Sequence, residues 1–194
     1  MTSEMNRREA VKALLDYRDK LLVVTGLGSP SYDVHACGDA ESNFYLWGAM
    51  GSAALVGLGL AQAQPKRRVL VITGDGEQLM GLGGLATIGA AAPKNLTIAV
   101  IDNGHFGETG MQLSHTGKGL SLAKVATACG FAEVEEVCDI KNVRRIRKRL
   151  HETMVGPRFI VLKVKPENLP RSLPPRDAVH VKNRFRAALG FPTI

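Results

Sequence analysis

Two strongly apolar segments, each ending in polar residues and a glycine, constrain the fold of this chain more than any other feature. Arg68–Thr73 leads into the sequence GDG, and Leu96–Asp102 leads into the sequence NG. The residues between them are enough for one crossover helix, predicted at Gln78–Ala91. Two apolar strands joined by a helix form a right-handed unit in which the strands are parallel. The fold class predicted is therefore α/β.

The same alternation continues along the chain and predicts a doubly wound, mostly parallel sheet with helices on both faces. The residues form one domain over 1–165, followed by a basic tail over 166–194 that we expect to pack on the domain or on a partner subunit. Prolines between Pro166 and Pro175 prevent a long regular element in the tail until about Asp177. The further predicted helices are Glu4–Tyr17, Tyr45–Ala63, Ser121–Cys129 and Lys141–Leu150, and the further predicted strands are Leu21–Thr25, Phe131–Val134 and Phe159–Val164.

The charge and cysteine patterns exclude several classes of function. The 194 residues carry a net charge of +7, concentrated on the predicted helix Lys141–Leu150 and in the tail, with no accompanying ladder of aromatic residues. Such charge is more typical of a solvated helix face than of a nucleic-acid surface. The three cysteines are isolated and show no CxxC spacing, which disfavours a disulfide framework or a metal cluster. A charged N-terminus and the lack of a long apolar run predict a cytoplasmic protein without a membrane segment.

Polar residues follow the two apolar strands where a ligand would bind. The carboxyl ends of neighbouring parallel strands meet at one edge of the sheet, so Asp75 and Asn103 should face one pocket. Carboxylate and amide oxygens suit Mg²⁺, which often shares phosphate oxygens. Gly76 would let backbone N–H groups approach a phosphate at the start of the next helix. The alternative is an ordinary Asp-Gly turn after a strand.

These motifs together resemble the cofactor fingerprint of thiamine diphosphate enzymes. The sequence GDG is followed by DNGHFG at the family's spacing, and NFYLWGAMG lies upstream. The resemblance is good over Phe44–Phe131 and looser elsewhere. Within the family, the chain is most similar to the β subunits of sulfopyruvate decarboxylase and to phosphonopyruvate decarboxylase.

The resemblance implies thiamine diphosphate and Mg²⁺ as cofactors. The implied metal ligands are Asp75, the side-chain oxygen of Asn103 and the carbonyl of His105. Gly48 would offer its carbonyl to the pyrimidine amino group, and Met50 would be an apolar wedge under the two rings. The full implied cofactor-binding set is Gly48, Ala49, Met50, Gly74, Asp75, Gly76, Glu77, Asn103, His105, Phe106 and Gly107.

Three residues are candidates for a catalytic role, namely Met50, Glu108 and His115. Glu108 lies near a position where some of these decarboxylases carry an acid, and His115 follows in a polar stretch. Either could move protons or contact substrate, or could be a solvent-facing loop residue. Glu108 and Met111 depart from the family's usual small residues here, which leaves the substrate open.

The family also uses a glutamate that activates the pyrimidine ring and belongs to a second domain. This chain carries one set of diphosphate motifs, so the resemblance implies an α subunit with the pyrimidine-binding domain and a hetero-oligomer acting on a small 2-oxoacid. One alternative is a subunit of an acetolactate synthase-like carboligase, which shares every cofactor motif. A non-catalytic nucleotide-binding subunit is the other.

Overall fold

A parallel sheet forms the centre of the protein, whose computed structural model describes residues 5–152 and 154–193. In the described residues the sheet has six strands in the order β2-β1-β3-β4-β8-β7, and every neighbouring pair is parallel. A separate antiparallel hairpin is formed by β5 and β6. The strands are β1 Leu22–Thr25, β2 Asn43–Tyr45, β3 Val69–Gly74, β4 Leu96–Asp102, β5 His105–Phe106, β6 Gln112–Leu113, β7 Glu133–Val137 and β8 Arg158–Lys163.

Helices cover both faces of the sheet, which confirms the predicted fold class. Side chains alternate along each strand, so Leu70 and Ile72 belong to one buried cluster and Val69 and Val71 to the other. The first cluster includes residues of α1, α2 and α7, and the second includes residues of α3, α5, α6 and α8. The helices are α1 Arg7–Leu15, α2 Ser29–Ala36, α3 Ala53–Ala63, α4 Asp75–Met80, α5 Gly84–Ala91, α6 Leu122–Ala128, α7 Ile140–Arg149 and α8 Ala178–Ala188.

Two predicted helices were wrong in extent, and the cause is one backbone contact. The helix expected over Tyr45–Ala63 begins only at Ala53, because Gly51 has a φ of 88° and Tyr45 ends β2. The helix expected over Gln78–Ala91 is divided into α4 and α5. A Cβ atom on Gly81 would lie 1.9 Å from the carbonyl oxygen of Gly51, so the two turns approach each other too closely for any side chain.

The sequence analysis also missed α2 and β2. Helix α2 has no apolar periodicity to reveal it, and it begins after Gly28, whose φ is 79°. The start of the predicted Glu4–Tyr17 helix lies outside the described residues, and α1 begins at Arg7. Among the described helices, none combines the length and the hydrophobicity that crossing a bilayer would need.

The basic tail lies against the domain at several points. Arg8 Nη2 donates to the carbonyl oxygen of Pro170 at 2.8 Å, and Trp47 Nε1 donates to that of Pro175 at 2.7 Å. Phe185 of α8 packs edge-on against Phe44 with ring centroids 5.5 Å apart. The described tail therefore reaches the carboxyl-end edge of the sheet as well as one of its faces.

Candidate functional site

A pocket of about 150 Å³ lies at the carboxyl ends of β3 and β4, where the sequence predicted a ligand. Its wall contains most of the predicted site residues and several that were not predicted. The predicted ones are Met50, Gly74, Asp75, Gly76, Glu77, Asn103, His105, Phe106, Gly107 and Glu108, and the others are Arg7, Leu27, Ser29, Pro30, Met80, Ile101 and Thr109. Gly48, Ala49 and His115 are not part of the wall.

Asp75 is held in place by two hydroxyl groups. It is the first residue of α4, directly after β3, and only 2% of it is exposed. Its Oδ2 accepts a hydrogen bond from Ser114 Oγ at 2.5 Å and one from Thr116 Oγ1 at 2.9 Å. Burial above all, and then the negative charge of Asp102, raise the pKa of this carboxyl, although the two hydroxyls oppose the shift. A bound cation would offset this cost of ionisation.

Asp102 shares the same hydroxyl network on the neighbouring strand. Its Oδ1 accepts from Thr116 Oγ1 at 2.7 Å and from the backbone N–H of Gly104 at 3.0 Å. Its Oδ2 forms an ion pair with Lys163 Nζ at 2.7 Å. Thr116 thus joins the carboxylates that end β3 and β4, and it fixes the orientation of both.

Ser114 and Thr116 were missed by the sequence analysis, which chose His115 between them. Ser114 and Thr116 are buried, whereas His115 is exposed with its ring 6.4 Å from the Phe106 ring in an edge-on contact. No sequence signal distinguishes the two hydroxyl residues, because their burial depends on how this segment folds back on the chain. The two hydroxyls turn toward Asp75 because Ser114 N donates to the Gly104 carbonyl oxygen at 2.8 Å, which folds the segment back.

The turn that carries Asn103 and His105 is closed by local hydrogen bonds. The backbone N–H of His105 donates to Asn103 Oδ1 at 2.9 Å, and His105 Nδ1 lies 2.8 Å from the Asn103 carbonyl oxygen. The amide oxygen has two lone pairs, so it can accept this bond and still bind a cation. Gly104 between them has a φ of 70°, a conformation that favours glycine.

The donor set of this pocket fits Mg²⁺. A carboxylate, an amide oxygen and a backbone carbonyl are hard oxygen ligands, and Mg²⁺ keeps few protein ligands when it also binds phosphate. The described residues contain no group of three or more His, Cys, Asp or Glu side chains that could hold a metal ion. A metal in this pocket would therefore depend on the mixed set of Asp75, Asn103 and the His105 carbonyl.

The start of α4 is open toward the pocket. Its N-cap residue is Gly74, which has no side chain that could accept a hydrogen bond from the N–H groups of the first turn. A Cβ atom on Gly76 would lie 2.7 Å from Cδ1 of Phe106. Glycine is therefore required at this position by the packing of the Phe106 ring, besides any role toward a phosphate.

The Glu77 side chain faces inward and connects two strands. Its Oε2 accepts from Thr73 Oγ1 at 2.7 Å, and it fills the space that a side chain on Gly26 would need, since a Cβ there would lie 1.5 Å from Oε2. Burial raises the pKa of this carboxyl. The sequence analysis considered only the backbone of Glu77, and the structure adds that its side chain braces the loop after β1.

Met50 lies at the pocket mouth on a loop with an unusual backbone. Gly48 and Ala49 have φ values of 77° and 49°, and 57% of Met50 is exposed. A left-handed alanine is uncommon and is held only where the surrounding structure requires it. The loop thus presents an apolar side chain to the pocket while Gly48 and Ala49 stay outside the wall.

Glu108 lies at the pocket mouth and is held by the tail. Its Oε2 accepts a hydrogen bond from Arg171 Nη2 at 3.0 Å, and its Oε1 lies 3.5 Å from the Ser29 hydroxyl. Both charged side chains are well exposed. Such an ion pair contributes little stability, so its main effect is to set the charge at the entrance.

Residues 33–164 of the chain match the family described as thiamine pyrophosphate enzyme, C-terminal TPP binding domain. The chain is 37% identical to the sulfopyruvate decarboxylase subunit beta of Methanocaldococcus jannaschii, over 88% of this chain and 89% of that one. It is 39% identical to the phosphonopyruvate decarboxylase of Streptomyces viridochromogenes, over 88% of this chain and 42% of that protein.

The fold is similar to that of a much larger solved enzyme. The benzoylformate decarboxylase of Polynucleobacter necessarius superposes on this chain with a TM-score of 0.70 at 18% identity. The superposition covers 86% of this chain and 34% of that one. At this identity the likeness shows the fold alone.

Proposed function

Since this chain belongs to the thiamine pyrophosphate enzymes, as their C-terminal TPP binding domain, we propose that it is the β subunit of a Mg²⁺-dependent decarboxylase. The substrate proposed is a short anionic 2-oxoacid such as sulfopyruvate or phosphonopyruvate, the compounds that appear in the names of two relatives of this chain. Thiamine pyrophosphate and thiamine diphosphate are the same compound.

The single observation that carries this proposal is the pocket that Asp75 and Asn103 share at the ends of β3 and β4. Asp75 is a buried carboxylate oriented by two hydroxyls, and Asn103 offers an amide oxygen beside it. In the proposal these two oxygens and the His105 carbonyl hold Mg²⁺, which in turn holds the diphosphate. The N–H groups at the start of α4 add donors for the same anion.

When bound, thiamine diphosphate supplies a ring that accepts the electrons released as carbon dioxide leaves the 2-oxoacid. In the proposal, the residues of this chain bind the cofactor and orient it. In the proposal Met50 supports the two rings from below and the Gly48 carbonyl accepts a hydrogen bond from the pyrimidine amino group. Glu108 lies at the entrance, where in the proposal it moves a proton or contacts the substrate.

A second subunit is part of this proposal. The chain matches 89% of a relative named subunit beta and only 42% of the phosphonopyruvate decarboxylase, so the remainder of that enzyme corresponds to nothing in this sequence. The exposed apolar side chains of Met50 and Met80 in the pocket wall, and of Leu55 on α3, support a protein contact on this side of the domain. The companion α subunit would supply the pyrimidine-activating glutamate.

The test is reconstitution followed by product analysis. The chain is purified together with a companion subunit, and thiamine diphosphate binding is measured by calorimetry with Mg²⁺ and with EDTA. We expect Mg²⁺-dependent binding, and one carbon dioxide and one aldehyde formed per 2-oxoacid consumed. A condensed hydroxy-oxoacid product would instead identify a carboligase. Absence of any thiamine diphosphate binding would contradict the proposal and favour a nucleotide-binding subunit.

A further inference from the structure

Arg7 is a buried cation in the wall of the pocket, and nothing described so far uses it. It is the first residue of α1, and only 3% of it is exposed. The backbone holds this helix end at the edge of the sheet where the pocket lies, because Lys165 N donates to the Met5 carbonyl oxygen at 2.9 Å just after β8. Arg7 therefore reaches the pocket from a distant part of the sequence.

Arg7 and Arg8 share one ion-paired carboxylate, that of Asp33. The carboxylate of Asp33 is fully buried and faces two guanidinium groups, with Arg7 Nε 3.3 Å from Oδ2 and Arg8 Nε 3.0 Å from Oδ1. Burial raises the pKa of Asp33, and protonation would remove its negative charge. The charge of Glu167 also raises the Asp33 pKa, but Glu167 is hydrogen-bonded to Asn6 at 2.6 Å, so Asp33 is the one carboxylate among the described residues that is ion-paired with either arginine.

The two arginines differ in how their donors are satisfied. Arg8 donates from Nε to Asp33 Oδ1 and from Nη2 to the Pro170 carbonyl oxygen, and it does not line the pocket. Among the described residues the Arg7 guanidinium has no hydrogen-bond acceptor, and its Nε and Asp33 Oδ2 are both buried without a hydrogen bond although they form an ion pair. A buried guanidinium with unused donors is costly unless an anion binds to it.

We propose that Arg7 binds the diphosphate of thiamine diphosphate, an inference that rests on the proposed function. A dianionic or trianionic diphosphate together with the Asp75 carboxylate carries more negative charge than one Mg²⁺ neutralises. The Arg7 guanidinium lies in the same pocket wall as Asp75 and Asn103, and its planar set of donors suits phosphoryl oxygens. Arg7 is thus a cofactor-binding residue.

The test compares Arg7 with its neighbour in the assembled protein. Calorimetry measures the affinity for two probes, thiamine diphosphate and inorganic pyrophosphate, each with Mg²⁺. Losing a charge-assisted hydrogen bond should make Arg7→Gln bind both probes roughly 10- to 100-fold more weakly. Arg7→Lys should lose less, and the matched control Arg8→Gln should stay within about twofold because Arg8 donates to Asp33 and to the tail and does not line the pocket. The salt dependence of binding should also become shallower in Arg7→Gln.

Three results would overturn the assignment to the diphosphate. Unchanged affinity for both probes in a folded Arg7→Gln protein is the first. Unchanged affinity with a raised KM for the 2-oxoacid is the second, because it would place Arg7 on the substrate's anionic group. The third is a loss of affinity in Asp33→Asn as large as the loss in Arg7→Gln. We expect Asp33→Asn to retain binding of both probes, because it breaks the ion pair but keeps the Arg7 charge. An equal loss in Asp33→Asn would make Arg7 a structural residue.

Stability and function are separated by two further measurements. Thermal unfolding without ligand shows whether each variant is folded. If Arg7→Gln does not fold, Arg7→Lys replaces it in the test, and the proposal then requires Arg7→Lys to bind pyrophosphate more weakly than the wild type does. A wild-type protein that binds no thiamine diphosphate would refute the proposed function and this inference together. A wild type that binds it as well as Arg7→Gln does would refute this inference alone.

Discussion

At the scale of single residues, the charge of Asp75 can be separated from its shape. Asp75→Asn keeps the size of the side chain but removes the negative charge that would bind Mg²⁺. We expect Mg²⁺-dependent binding of thiamine diphosphate to weaken by at least about 100-fold, more than the loss of a supporting contact would cause. Calorimetry of the assembled protein with Mg²⁺ measures this.

The same variant has a predicted effect on stability of opposite sign. Because burial raises the pKa of Asp75, its ionised form costs free energy in the folded protein, and a neutral amide removes this cost. The free energy of unfolding without ligand should therefore stay equal or rise in urea titrations. Glu136→Gln, an exposed change on β7, is the control for loss of a carboxylate. Full cofactor affinity in folded Asp75→Asn would contradict the metal assignment.

Thr116 tests whether the hydroxyl network matters for the metal. Its Oγ1 lies within hydrogen-bond distance of both Asp75 Oδ2 and Asp102 Oδ1. Thr116→Val preserves the shape and leaves the two carboxylates without their shared donor, so Mg²⁺ affinity should fall roughly 10-fold. Thr116→Ser, which keeps the hydroxyl, should bind Mg²⁺ nearly as the wild type does. Equal affinities of the valine and serine variants in a metal titration would show that the network has no such role.

The sequence predicts those site residues that lie next to a recognisable strand, and it does not predict those that reach the pocket only through contacts made in the folded chain. Asp75 and Asn103 could be placed because each follows an apolar strand, and parallel strands bring their ends together. Ser114 and Thr116 could not, because their burial depends on the backbone contact between Ser114 and Gly104. Arg7 could not either, since only the position of α1 beside β8 brings it to the pocket.

At the scale of elements, apolar patterns predicted most of the strands and helices. A glycine contact accounts for the two helices of wrong extent, whereas α2 was missed because it has no apolar periodicity. The predicted Leu96–Asp102 strand is β4, since a buried central strand is apolar throughout. The loop before α3 reads as helical in composition, yet Ala49 and Gly51 take positive φ values. The close approach of Gly51 and Gly81 explains why α4 ends at Met80 and why α3 begins only at Ala53.

Helix α8 is expected to depend on one aromatic contact for its docking. Phe185 is buried and packs on Phe44, whereas Val179 on the same helix is 60% exposed. Phe185→Ala should lower the free energy of unfolding by about 3 kcal/mol, because it leaves a cavity between helix and sheet. Val179→Ala, the matched control, should change it by less than about 0.5 kcal/mol. Urea unfolding gives both values, and equal effects of the two variants would contradict the docking described here.

Acid should release this helix before the sheet unfolds. Burial alone would raise the pKa of Asp39, but hydrogen bonds from Arg184 of α8 and from Tyr45 outweigh it, and the pKa is lowered overall. A lowered pKa means that Asp39 stabilises the folded state at pH values above about 4, its unfolded pKa. This contribution is lost as the pH falls through the lowered value.

The fluorescence of Trp47, the one tryptophan of the chain, reports this release because its Nε1 is bonded to the tail at Pro175. Arg184→Met should move the acid transition to higher pH, since the Asp39 pKa then returns toward its ordinary value. Arg186→Met, which removes an exposed contact on the same helix, should leave the transition in place. An unshifted transition in Arg184→Met would disprove the role of this ion pair.

At the scale of the whole molecule, the sheet and its helices complete a core but leave an apolar rim at the pocket mouth. Met50 and Met80 are each 57% exposed although both line the pocket. Leu55 of α3, which closely follows the Met50 loop in sequence, is 41% exposed. Exposed apolar groups next to a binding pocket are typical of a surface that a partner covers. This arrangement supports the requirement for a companion subunit in the proposed function.

The purified chain alone should therefore show no decarboxylation, and activity should appear when the companion subunit is added. Metal and diphosphate contacts can anchor one end of the cofactor, but the proton relay through its pyrimidine needs an acid that the proposal places on the partner. Leu55→Lys puts a charge in the apolar rim and should weaken association with the companion by roughly 10-fold or more, while the chain stays folded. Leu173→Lys changes an equally exposed leucine in the tail and is the control. Size-exclusion chromatography and a carbon dioxide assay decide the matter, and full turnover by the chain without a companion would refute the two-subunit proposal.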